Sequence, residues 1–69
     1  MAEQEGGTKF QVGNRVKILN SAFGTAEVVE LRGPFGPQGA QVYRLRVRKK
    51  PRPAYIEVLE EQMELVPEG

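Results

Sequence analysis

Residues 42 to 48 read VYRLRVR, with Tyr43, Leu45 and Val47 at one parity and Arg44, Arg46 and Arg48 at the other. A period of two sends alternate side chains to opposite faces of a β-strand, whereas a helix would scatter both sets around its axis. The segment is therefore read as a strand with one apolar and one cationic face. A lone strand is not stable in water, so the rest of the chain has to supply a sheet.

The punctuation agrees. Upstream, GPFGPQG holds Pro34, Pro37 and three glycines, and downstream KKPRPA holds Pro51 and Pro53. Proline lacks the amide donor a ladder needs and glycine weakens regular pairing, so both stretches are loops. Within the first, Phe35 either folds back over the barrel mouth, the preferred reading, or stays exposed as a contact point.

Further strands are expected on either side. In FQVGNRVKI, Phe10, Val12, Val16 and Ile18 share one parity, with Gly13-Asn14 as a turn and a strand from about Arg15 to Leu19. NSAFGT carries turn chemistry: Asn20 and Ser21 can bond nearby backbone and Gly24 tolerates positive φ. TAEVVELR alternates until Val28 and Val29 fall side by side, which calls for a bulge or strong coiling. YIEVL returns after the tip with Ile56 and Val58 inward, EEQM suits one 3-10 turn, and ELV makes a last short strand. The expected fold is all-β: a small five-stranded barrel over residues 9–66, with a 3-10 turn before the last strand. A disordered leader (1–8) and tail (67–69) flank it.

At 69 residues the chain forms one domain that buries only about 60% of the surface its unfolded form exposes. It has no cysteine and no histidine, so disulfides, thiolate zinc sites and imidazole ligands are not available to reinforce a thin core. No apolar run reaches the length of a signal sequence or membrane span, and a cytoplasmic protein with no membrane partner is expected.

The order of parts resembles that of SH3-like small barrels over residues 12–66. The stretch VGNRVKILNSAFGTAEVVEL is similar to the KOW motif of ribosomal and transcription elongation proteins. Gly13, Val16, Ile18, Phe23 and Gly24 fall near its glycine and apolar positions, and Thr25-Ala26 stand where that motif usually carries a second glycine. The span Gly13 to Ile18, the Gly24-Thr25 turn and the ending Glu60 to Glu64 also resemble the stromal barrel subunit of photosystem I and the variable chain of ferredoxin-thioredoxin reductase. These families bind RNA, proteins or electron-transfer partners, so the resemblance implies a binding barrel without choosing the ligand.

Catalysis is not expected, because no motif surrounds Ser21, Thr8 or Thr25 and no imidazole or thiol can activate them. No metal or other cofactor is expected either: every acid is Glu, and Glu57, Glu60, Glu61 and Glu64 read as a solvated edge rather than a shaped cation loop.

What remains is charge. The formal net charge is only +1, yet residues 42–55 hold six of the ten Lys and Arg residues and no acid. Lys and Arg displace counterions from phosphates, and aromatic rings offer stacking platforms for unpaired bases. Lys49, Lys50 and Arg52, with Arg48, Arg46 and Arg44 behind them, are the candidate contacts for RNA or DNA, and Phe23 and Phe35 the candidate aromatic ones. If the strand lies between the second and fourth strands, Glu27 or Glu30 on one side and Glu57 on the other partly neutralise its arginines. The stiff tip KKPRP then carries the functional expectation. The alternative is an accessory or interaction barrel whose tip docks an acidic protein.

Overall fold

A computed structural model describes residues 8–67. The expected leader lies outside the described residues but for Thr8, and the expected tail but for Pro67. Five strands form: β1 (Arg15–Ile18), β2 (Thr25–Gly33), β3 (Val42–Val47), β4 (Ala54–Leu59) and β5 (Met63–Leu65). A 3-10 turn at Pro37–Gly39 interrupts the loop between β2 and β3, and another at Glu60–Gln62 joins β4 to β5.

All strands are antiparallel in one open sheet of order β4-β3-β2-β1-β5. Its edges, β4 and β5, are consecutive in sequence. A flat sheet would hold them four strand spacings apart, about 19 Å. The step from Leu59 to Met63 spans at most about 14 Å. The sheet must therefore curl, and the Glu60–Gln62 turn bridges the gap with Glu60 N–H donating to Gln41 O (2.9 Å) and Gln62 O accepting from Leu19 N–H (2.9 Å).

The curl encloses Phe10, Val16, Ile18, Ala26, Val28, Tyr43, Leu45, Val47, Val58 and Met63, with Ile56 packed against them. Val16, Val28, Tyr43 and Leu45 are fully buried, so every inward position of the predicted β3 is used. Fully burying an aliphatic side chain of this size contributes about 1.5–3 kcal/mol, so Val16, Val28 and Leu45 each supply a sizeable share of the apolar support of a small core. The adjacent valines are accommodated as expected: the β2–β3 register shifts between Val28 and Glu30, leaving Val28 buried and Val29 half-buried.

Two expectations fail. Val12 does not share the inward face of Phe10 and Val16; it is exposed. It sits in a turn closed by Asn14 N–H to Gln11 O (3.0 Å) and Gln11 N–H to Asn14 Oδ1 (2.9 Å), with Gly13 at φ 98°. Parity counts only along continuous extended backbone, and this turn resets it. Phe35 does not fold over the interior but is 78% exposed. Phe35 N–H donates to Gly33 O (2.9 Å) in a tight turn, which leaves the ring against Gly33 on the outside. Gly36 packs against Leu59 so closely that an added Cβ would lie 2.6 Å from Leu59 Cδ2.

Candidate nucleic-acid interface

The register decides what the arginine stripe can do. On the outer face of the sheet, Arg46 stands opposite Glu27 on β2 and Tyr55 on β4, and Arg44 opposite Glu30 and Glu57. Arg46 Nη2 pairs with Glu27 Oε1. Arg44 takes a different partner: its guanidinium lies 5.1 Å from the centre of the Tyr55 ring. Its two facing carboxylates are held instead by Arg32, whose Nη1 is 3.0 Å from Glu30 and whose Nε is 3.2 Å from Glu57. Arg32 reaches them because a second register shift, between Leu31 and Gly33, sets it outside the regular ladder.

The outer face of β2, β3 and β4 thus interleaves Arg32, Arg44 and Arg46 with Glu27, Glu30 and Glu57. Exposed pairs of this kind contribute only about 0.2–1 kcal/mol each to stability, but interspersed opposite charges cancel the potential that would draw phosphate.

Beyond the last rung of β3 the environment changes. Arg48, Lys49, Lys50 and Arg52 are exposed, and none of them is in an ion pair among the described residues. Pro51 and Pro53 stiffen the loop, so its charge projects at low entropic cost. The β1–β2 connection lies at the same end of the sheet, since β1 ends and β2 begins where β3 ends. Its form follows the sequence: Asn20 takes φ 54°, Gly24 φ 78°, and Ser21 Oγ accepts from Phe23 N–H (3.0 Å). That turn presents Phe23, 43% exposed, with Lys49 Nζ 5.9 Å from its ring centre.

Two clefts meet there. One of about 330 Å³ is lined by Arg46, Arg48, Lys49, Lys50 and Pro53. The other, of about 280 Å³, is lined by Ala22, Phe23, Val47, Arg48 and Lys49. Arg48 and Lys49 form their common wall.

The expected residues therefore separate. Arg48, Lys49, Lys50 and Phe23 come together across the two clefts, and Arg52 is exposed in the same loop without lining either; Arg44 and Arg46 lie on the neutralised face, with Arg46 edging the larger cleft. Phe35 follows the far end of β2, so the length of that strand separates it from Phe23. Tyr55 was not among the expected aromatic contacts, yet it is 49% exposed opposite Arg46. The cue was available, since in YIEVL it alternates with inward Ile56 and Val58.

No family model, curated protein or solved structure matches this chain. Its function has to be argued from the surface itself. Among the described residues there is no helix long and apolar enough to cross a membrane, and no group of three or more His, Cys, Asp or Glu suited to hold a metal ion.

At the other end of β3 the polar atoms are tied down. The Tyr43 hydroxyl donates to Glu60 Oε2 and accepts from the amides of Lys9 (3.2 Å) and Phe10 (3.4 Å), while Lys9 N–H also donates to Glu60 Oε2 (3.0 Å). Burial first, then the hydrogen bond to Glu60, pushes the Tyr43 phenol from 10.0 up to about 12. Phe10 meets the Tyr43 ring edge-on at 5.4 Å. This cluster fixes the N-terminal segment against the sheet and is structural.

Proposed function

We propose that this chain is a non-catalytic SH3-like module that binds RNA or DNA through Arg48, Lys49, Lys50 and Arg52, with Phe23 as its aromatic contact. The observation that carries the proposal is the contrast within one basic run: inside the sheet Arg46 pairs with Glu27 and Arg44 lies over Tyr55, whereas past it the cations make no ion pair among the described residues and Lys49 stands beside the exposed Phe23 ring. Phosphate contacts from Lys and Arg supply most of sequence-independent nucleic-acid affinity. Small barrels use such a groove of cations and aromatic rings to hold a backbone and its bases.

The decisive experiment is a titration of labelled oligonucleotides at low salt, with a Lys49→Glu, Lys50→Glu, Arg52→Glu variant beside the parent protein. Binding at low micromolar protein that disappears in the variant supports the proposal. Equal binding by the two proteins, or none by either, removes it. Capture of an acidic protein by the parent alone, without oligonucleotide binding, would place the same surface in a protein-docking barrel instead.

A further inference from the structure

We infer that the ligand of the tip is an unpaired strand, and that two neighbouring bases straddle Lys49: one against the Phe23 ring, the other against Pro53. This rests on the tip being a nucleic-acid surface and adds the form of nucleic acid it accepts.

Shape excludes the usual alternative. A duplex is read by inserting a helix or a two-stranded ribbon into a major groove about 12 Å wide. The β3–β4 hairpin does not offer a free ribbon, because β3 is paired with β2 as far as Arg46 opposite Glu27. Only the Val47–Ala54 rung and the loop from Arg48 to Pro53 extend past it. Beside that loop stands the β1–β2 turn with Phe23, so the end of the sheet is broad where a groove reader must be narrow.

The same breadth suits a single strand. The two clefts are of similar size, and each is near the lower limit of about 300 Å³ for small-ligand pockets. Each has one apolar ring on its wall, Phe23 or Pro53, and the wall they share is cationic, Arg48 and Lys49. A strand has the same alternation, base, phosphate, base. The Lys49 ammonium rests 5.9 Å from the Phe23 ring centre, near the outer limit of about 6 Å for a cation–π contact. Such a weak contact yields to a base stacking on the ring while the ammonium turns to the phosphate.

The test compares an eight-nucleotide single strand with a duplex of the same sequence, against the parent, Phe23→Ala, Phe23→Leu and the triple Lys/Arg→Glu tip variant. Phe23 is 43% exposed, so its truncation leaves the interior intact, and Phe23→Leu keeps apolar bulk without a π-face. Stacking on one aromatic ring accounts for about a five- to hundredfold change in affinity. Both Phe23 variants are expected to weaken single-strand binding within that range, leave its salt dependence unchanged, and leave duplex binding, weak in the parent, where it was. Duplex binding as tight as single-strand binding, or Phe23 variants equal to the parent while the tip variant fails, overturns the inference and leaves the nucleic-acid reading standing. Failure of the parent to bind either form overturns both.

Discussion

Residues 42–47 and 48–53 belong to one run of basic sequence but to two different environments. Within the sheet, Arg46 pairs with Glu27, Arg44 stacks on Tyr55, and the Tyr43 hydroxyl is bound to Glu60. Past the sheet, Arg48, Lys49, Lys50 and Arg52 make no ion pair among the described residues. The difference is not residue type but register, since a strand in mid-sheet has a neighbour on each side to answer its charge and a loop has none. Changes within the sheet should therefore alter stability and spare binding. Changes at the tip should do the reverse.

The largest effect expected is at the tip. The Lys49→Glu, Lys50→Glu, Arg52→Glu variant should lose more than about a hundredfold in oligonucleotide affinity, since three phosphate contacts become repulsions. Its unfolding free energy should stay within about 0.5 kcal/mol of the parent, as is usual for surface changes. A large loss of stability would break the division between the two regions.

Tyr43 tests the opposite half. Its folded value is raised above its unfolded one, so the folded state holds the phenol proton more tightly. The stability this contributes is complete below pH 10 and is lost as pH rises towards 12. A denaturant series across that window should show the unfolding free energy falling as pH rises. Tyr43→Phe should abolish this pH dependence. It should also cost about 1–3 kcal/mol at neutral pH, because the buried Phe10 amide loses its acceptor while the Lys9 amide keeps Glu60. Oligonucleotide affinity at neutral pH should not move.

Glu27→Gln sharpens the comparison by converting part of one region into the other. Losing the partner of Arg46 should cost about 0.2–1 kcal/mol of stability. It should also raise oligonucleotide affinity several-fold, because Arg46 already borders the larger cleft. Unchanged affinity would mean that something other than its carboxylate partner keeps Arg46 from the ligand.

The smallest effect belongs to Phe35. Although it is the most exposed large apolar residue among the described residues, Phe35→Ala should leave both stability and binding unaltered, because Phe35 lies beyond the far end of β2. Competition titration and thermal melting would check this, and a fivefold loss of affinity would place the site elsewhere.

These effects also mark how far the sequence could be read. Alternation along Tyr43 to Arg48 predicts a strand, and the Val28-Val29 pair predicts a bulge or strong coiling, because both depend on short-range backbone geometry. The positions of Glu27, Glu30 and Glu57 beside the arginines follow once strand order is assumed. What could not be read were contacts across turns. Val12 lost its parity at Gly13, Phe35 was displaced outward by a tight turn, and Arg32 took both carboxylates facing Arg44 only because a second register shift moved it. Likewise, the meeting of Phe23 with Lys49 joins two loops 26 positions apart, and no local pattern signals it.

The most direct measurement is the slope of log affinity for a single strand against log salt concentration, for the parent and for an Arg44→Gln, Arg46→Gln variant. Contacts from Arg48, Lys49, Lys50 and Arg52 alone give a slope of about −2.8, or roughly a fiftyfold loss between about 50 and 200 mM, and the same slope in the variant. A parent slope near about −4.2 that falls towards about −2.8 in the variant would show the strand arginines bound to phosphate. It would contradict the claim that the glutamates beside them have neutralised the stripe.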